Sequence, residues 1–376
     1  MMETINGDYA IMMSDSSSLD HRSTFDHDGY LVVENLLNWQ NDILPLVFEY
    51  EKLIDALAEI FLIEAEVVDK NQLNSLLDNY PKLDFPDRFA TLIGASGGRA
   101  LHHLDPVLNI YSPDYRYRRD LPSAQIPSLF DFVRHTKLLD VIEELIGSEV
   151  YASPIYHLNI KLSNQHLMKA ESTAKITHQR SPAEDAFYNF QVGQTRWHMD
   201  AVAGLSDSLD SRIVNAWIPI TQANQENGCL MVIPESHQLG LIKEIPPSII
   251  DKSITLEVKP GDVVFLDNKI LHASAPNNSQ DEYRWAFNFR YLPPKQSCGR
   301  PFLPGFIARS RQSPETELSN SYLWSSMWDR ALAYVTNNGV PYTYADLGEI
   351  TYHQAKTFTE DWRRLTPNHN SWLNLH

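Results

Sequence analysis

The sequence predicts a β-sandwich or jelly-roll core with helices packed around it, mainly β in the half that carries the chemistry. Three observations predict this. Beyond residue 150, short β-rich runs are separated by turn signals, at 150–162, 187–201, 212–220, 229–233, 253–258, 262–267 and 283–292. Before residue 150 the apolar spacing is helical, and residues 300–376 are rich in Tyr and Trp on a mostly helical pattern. Many short strands at irregular spacing, with no helix between each pair, argue against a βαβ sheet.

The elements follow in chain order. Residues 1–20 carry no periodic pattern and are expected to be flexible. "HDGYLVVENLLN" (27–38) reads as a short strand entered through a turn glycine. From about 39 to 80, Leu53, Ile54, Ala56, Leu57, Ile60 and Phe61 recur at helical spacing. "GASGGRALHHLD" (94–105) is glycine-rich and loop-like, but it lacks a preceding strand and the GK[ST] ending of a phosphate loop. "PSLFDFVRHTKLLDVIEELIG" (127–147) reads as one helix, with proline at its start and glycine at its end. The expected organisation is therefore a helical part over 39–147 and a β core over about 150–292. A polar, lid-like insert covers 163–186 and a helical, aromatic-rich extension 300–376, with 21–376 forming one domain.

Composition narrows the function. Hydrophobic residues make up 43% and charged residues 21% of 376, as in a folded globular chain. A net charge of −17 disfavours nucleic acid and anionic membrane surfaces as partners. The two cysteines, Cys229 and Cys298, form no CxxC pair, which argues against a disulfide scaffold or a structural zinc site. No apolar run is long enough to span a bilayer, and "MMETINGDYAIMMSDSSSLDH" lacks the basic start and apolar core of a signal peptide, so a cytoplasmic protein is expected.

The chemistry centres on "QTRWHMDAVAG" (194–204). A His-x-acid triplet is weak by itself: 14 His and 48 Asp plus Glu give about two by chance. The other one is His103-Leu104-Asp105, which reads as structural or as lying near a pocket mouth. On a strand, His198 and Asp200 project to one face, while Trp197 and Met199 face the other way. "VKPGDVVFLDNKILHASAP" (258–276) adds a tight turn, a buried strand and then His272 as a third ligand. Two histidines and a carboxylate with open opposite positions suit non-haem Fe(II), with zinc as the competitor. The next strand, "EYRWAFNFRY" (282–291), puts Arg284, Ala286, Asn288 and Arg290 on one face. An inward guanidinium needs an anion. Arg284 is preferred over Arg290 because it lies nearer His272 along the hairpin, and Ser274 is placed to donate to the same carboxylate. An open metal beside an Arg/Ser clamp is what chelating a 2-oxo diacid requires.

These motifs together resemble the phytanoyl-CoA dioxygenase (PhyH-like) family of Fe(II)/2-oxoglutarate oxygenases. The likeness runs through "FDHDGYLVVENLL", "LLDVIEELIGSEV", "WHMD", "VNAWIPIT", "ENGCLMVIPESH", "VKPGDVVFLDNKILHASAPNNS" and "YRWAFNFRY". The resemblance implies a double-stranded β-helix (jelly-roll, cupin-like) core. It implies iron on His198, Asp200 and His272, and 2-oxoglutarate on Arg284 and Ser274, with Trp217, His157 and Lys161 lining the co-substrate pocket. It also implies O₂ as oxidant. The lid-like insert and the aromatic tail suggest a dedicated pocket for a small-molecule substrate, of a kind met in specialised metabolism. Hydroxylation is the default outcome; desaturation, rearrangement and epimerisation use the same residues. Family members that halogenate replace the ligand carboxylate by a small residue, and Asp200 is present here. The sequence departs from the family at Glu235, where glycine is usual, and in the length of the insert before His198. The rival readings are a non-catalytic jelly-roll binding protein and a zinc-dependent one. The substrate and oligomeric state are left open.

Overall fold

The computed structural model describes residues 20–65, 70–105, 121–180, 193–203, 208–242, 245–300 and 303–338. Residues 1–19 of the expected flexible segment and 339–376 of the extension lie outside them. Two antiparallel sheets form the core. The six-stranded sheet has the order β1 (Tyr30–Val33), β7 (Val263–Asp267), β4 (Val214–Pro219), β9 (Arg284–Leu292), β2 (Glu149–Lys161), β10 (Phe306–Ser310). The four-stranded sheet has the order β3 (Thr195–His198), β8 (His272–Ser274), β5 (Leu230–Val232), β6 (Ile254–Leu256). The non-sequential neighbours in both sheets are the double-stranded β-helix arrangement. Helix nevertheless outweighs strand, at about 45% against 21%.

Alternation on β9 explains the layering. Trp285, Phe287, Phe289 and Tyr291 point outward and join the main core, which the helices complete. Ala286, on the other face, packs with Trp217, Leu230, Val264 and Leu266 between the sheets. Helix α2 (Leu44–Ile63) covers the outer face with Leu46, Val47, Tyr50, Leu53, Ile54, Leu57, Ala58 and Phe61, the i, i+3, i+4 stripe of an amphipathic helix. Tyr50 meets Phe287 edge-on, with ring centroids 4.9 Å apart.

Several elements differ from the sequence reading. The helical stretch 39–80 is a π turn (Trp39–Ile43), α2 and a separate helix α3 (Lys70–Asn79). The glycine-rich segment from 94 is no loop: its first residues end helix α4 (Phe85–Ser96), and Leu101–Leu104 forms the short helix α5. Gly94 is there for space, since a Cβ would lie 2.3 Å from the Ala170 carbonyl oxygen of a crossing helix, α8 (Asn164–Ile176). Thus the first half of the supposed lid is a helix packed on α4, and 181–192 lie outside the described residues. The helix expected over 127–147 breaks into α6 (Pro127–Val133) and α7 (Thr136–Ile146). The Tyr291 hydroxyl donates to the Val133 carbonyl at 2.8 Å, supplying a hydrogen bond that a continuous helix would have made internally. Finally, the extension expected to be mostly helical carries strand β10. The last described helix, α10 (Ser321–Asn338), buries Trp324 and Trp328 beside Phe130 and Tyr156.

Candidate metal and co-substrate site

The site lies between the sheets, where β3 and β8 pair. His198 ends β3 and His272 begins β8; their Cα positions are partners in the ladder, and their ring centroids are 4.2 Å apart. Asp200 does not lie on the strand, as the sequence reading had it. The ladder is irregular before His198, and Asp200 starts a short 3₁₀ turn (Asp200–Ala203) anchored by the Ala201 N–H on the Asn268 carbonyl at 2.8 Å. Met199, between the two polar residues, is buried against Ile233 and Leu271 on the other side. The turn still brings the carboxylate back: one atom from each of His198, Asp200 and His272 lies within 4.8 Å of the others.

Each of the three has its orientation fixed. Nδ1 of His198 is 2.8 Å from the Arg196 carbonyl, and Nδ1 of His272 is 3.1 Å from the Ile270 carbonyl. A carbonyl only accepts, so Nδ1 carries the hydrogen in both rings and Nε2 is left with the lone pair a metal needs. Asp200 accepts from Arg290 Nη2 on Oδ1 and from Asn215 Nδ2 on Oδ2, both at 2.8 Å. Burial alone would raise the Asp200 pKa; Arg290, His198 and His272 together outweigh it and hold the carboxyl well below its usual range. For His272, burial and then the neighbouring His198 push the ring down to about 4, so it is neutral and ready to ligate at pH 7. Burial also opposes charge on His198, but Asp200 and the Arg196 carbonyl prevail and raise its pKa.

About four residues along β9 from Asn288, the chemistry changes. Arg284 is 2% exposed, and its Nε and Nη1 find no hydrogen-bond partner among the described residues. Its guanidinium carbon lies 5.5 Å from the Trp217 ring centre, and burial lowers its pKa to about 10. Ser274 is buried and accepts the Thr195 N–H at 3.3 Å, leaving its own hydroxyl hydrogen to give. Arg284, Ser274, Trp217, His157, the triad, Asn215 and Arg290 all line one cavity of about 140 Å³. Lys161 is Arg284's partner across the β2–β9 ladder, yet it is not among the lining residues. Its Nζ is turned to the Ala275 carbonyl and its stem crosses Gly228, where a Cβ would come within 3.0 Å of the Lys161 Cδ. Burial, and then Arg284, lower the Lys161 pKa to about 6. The two arginines differ in their partners: Arg290 gives Nη2 to Asp200, whereas no carboxylate among the described residues meets Arg284.

The sequence reading does not name Asn215, and it names Arg290 and Asp105 without their partners. Asn215 shares a strand face with Trp217, and Arg290 lies six residues beyond Arg284, so alternation placed both inward but did not say what they touch. Asp105, from the second His-x-acid triplet, accepts from His157 Nδ1 at 2.7 Å and is buried. Only the three-dimensional fold joins those two, 52 residues apart. His237, near in sequence to the core strands, is no part of the triad: its Nε2 lies 3.1 Å from the Asp26 carbonyl.

A family model described as phytanoyl-CoA dioxygenase (PhyH) matches residues 116–286. Over that segment the chain is similar to this family. The matched segment takes in the triad, Ser274 and Arg284, and stops short of Arg290 and Asp105 on its two sides. Among curated relatives, dioxygenase af480 of Aspergillus fumigatus is 32% identical over 83 residues, 22% of this chain and 26% of that one. Phytanoyl-CoA dioxygenase domain-containing protein 1 of Danio rerio is 28% identical over 126 residues, 29% and 43% of the two chains. Methylphosphonate hydroxylase of Gimesia maris is 36% identical over 74 residues, 18% and 28%. The chain therefore spans less than half the length of each of these relatives. The solved structure of the non-heme monooxygenase ThoJ with nickel superposes at a TM-score of 0.47 with 15% identity, over 84% of this chain and 97% of that one.

Proposed function

We propose that this protein is an Fe(II)- and 2-oxoglutarate-dependent dioxygenase that oxidises a C–H bond of a small organic molecule, with succinate and CO₂ as co-products. Hydroxylation is the default outcome, which agrees with a hydroxylase among the relatives. The observation that carries the reading is the pairing of two unlike sites in one cavity. Two Nε2 atoms and a carboxylate suit a metal, and a buried guanidinium without a partner suits a carboxylate. A zinc hydrolase or a simple binding jelly roll has no use for the second site.

His198, Asp200 and His272 would hold the iron, and Arg284 with Ser274 would hold the far carboxylate of 2-oxoglutarate. Iron with this co-substrate and O₂ supplies oxidising power that side chains lack. The chain's own part is positional. The Arg196 and Ile270 carbonyls fix both imidazoles, Arg290 and Asn215 fix Asp200, and Trp217 walls the space beside Arg284. The sheets shut water away from a guanidinium that then binds an anion far more strongly than it would in water. Residues 21–376 are read as one domain serving this site. The test is succinate release from 2-oxoglutarate in air: it is expected to require Fe(II) and to vanish in His198→Ala. Folded, iron-supplied protein that releases none would refute the reading.

A further inference from the structure

Lys161 is a buried amine that the site as described does not use. It is 1% exposed and stands opposite Arg284 across the β2–β9 ladder. Its stem runs over Gly228, where a side chain would collide with it, and its Nζ donates to the carbonyl of Ala275, the residue after Ser274. The amine is not among the residues lining the cavity. It lies behind them, next to Arg284 on one strand and next to the end of the Ser274 strand on another.

Two bases buried side by side without an anion do not both stay charged. The Arg284 pKa falls only to about 10, so the guanidinium keeps its proton at pH 7. The amine gives way instead: burial, and then Arg284, bring Lys161 down to about 6. The Cys229 thiol, just before β5, works the other way, yet burial and then Glu257 raise its own pKa above the ordinary value. No carboxylate among the described residues acts on Lys161. Without a ligand the amine is therefore neutral at pH 7.

A carboxylate on Arg284 reverses this balance. It offsets the guanidinium's repulsion of a second positive charge, in surroundings where charges are felt more strongly than in water. We propose that Lys161 takes a proton from solvent as the far carboxylate of the co-substrate settles on Arg284, so that co-substrate binding is coupled to proton uptake. This rests on the co-substrate reading above and gives the buried amine a role of its own. The amine becomes an ammonium, the Ala275 carbonyl accepts from it in both states, and no other bond changes. The protonated protein binds the diacid more tightly. Affinity is thus greatest below the ligand-free pKa of Lys161 and falls as pH rises through it.

The test is anaerobic and uses iron-saturated protein. 2-Oxoglutarate is titrated from pH 6 to 9 while the visible metal-to-ligand charge-transfer band is followed. Calorimetry at pH 7.5, in two buffers of different ionisation enthalpy, counts the protons taken up. Wild type should lose about tenfold in affinity between pH 7 and 8 and take up about one proton, as a group with a ligand-free pKa near 6 requires. Lys161→Met, uncharged and of similar length, should take up none and bind with the same affinity at both pH values. Lys161→Gln replaces it if Lys161→Met does not fold, and the wild-type profile alone still decides: the decline must begin near pH 6. Wild-type affinity that is flat from pH 6 to 8, or equal proton uptake in wild type and Lys161→Met, would overturn the proposal. A band absent from iron-saturated wild-type protein at every pH would instead refute the co-substrate reading itself.

Discussion

Asp200 at one end of the cavity is buried together with its counter-ion, whereas Arg284 at the other end is buried without one. The first carboxylate meets Arg290 and Asn215 at 2.8 Å each, so its charge is compensated before any metal arrives. The second group leaves Nε and Nη1 unpartnered among the described residues and has across the ladder Lys161, an amine that offers it no negative charge. Burying a charge is unfavourable unless something is gained by it. The metal end thus reads as geometry fixed in advance, and the anion end as unfavourable energy that a bound ligand relieves. The two ends should respond to mutation with opposite signs in stability, even though both are needed for binding.

The largest effect is expected at the compensated end. Asp200→Ala removes a ligand and leaves Arg290 buried without its anion, so urea unfolding should show a loss of about 3 kcal/mol, with Fe(II) binding abolished. Next comes the uncompensated end. Arg284→Met should weaken 2-oxoglutarate about 100-fold, the scale of a charge-assisted hydrogen-bonded pair, yet leave the ligand-free protein as stable as wild type or more so. A fall in Tm matching that of Asp200→Ala would erase the contrast between the two ends.

Lys161 sharpens the same contrast through pH. Its folded pKa is about 6 against an ordinary 10.5, so between these values the unfolded chain holds a proton that the folded chain does not. Stability should accordingly rise with pH through that window. In Lys161→Met the slope of unfolding free energy between pH 7 and 9 should be flatter; an unchanged slope would mean that the amine keeps its charge in the fold. The smallest effect lies away from both ends. Glu235 has φ of +63°, in the left-handed region, where the family usually has glycine. Glu235→Gly should stabilise by about 0.5 kcal/mol, the part of a ~1 kcal/mol left-handed penalty that survives glycine's extra unfolded-state freedom. Metal binding should not change, and calorimetry of the two proteins with and without Co(II) checks both statements.

Much of this site was legible in the sequence because it rests on strand alternation. Arg284, Asn288 and Arg290 face inward on β9 as a period of two requires, and His272 and Ser274 share a face of β8. Alternation failed at Asp200, where an irregular ladder and a 3₁₀ turn replace the strand; the three side chains still converge although the local geometry differs. What alternation cannot express is partnership across long separations. Arg290 reaches Asp200 across 90 residues and His157 reaches Asp105 across 52, and neither pairing leaves a local pattern. Among the helices, one misreading came from a glycine. Gly94 lies inside α4 because a neighbouring helix crosses there, not because the chain turns. Strand β8, with three residues, is too short to show as a run of its own.

The most direct test of the central claim, one cavity built for a metal and a diacid together, is anaerobic addition of Fe(II) and 2-oxoglutarate to metal-free protein. The account predicts a visible charge-transfer band in wild type, no band in His198→Ala, and in Arg284→Ala a band that appears only at much higher 2-oxoglutarate. Folded wild-type protein without the band, or a band of equal strength in His198→Ala, would contradict it.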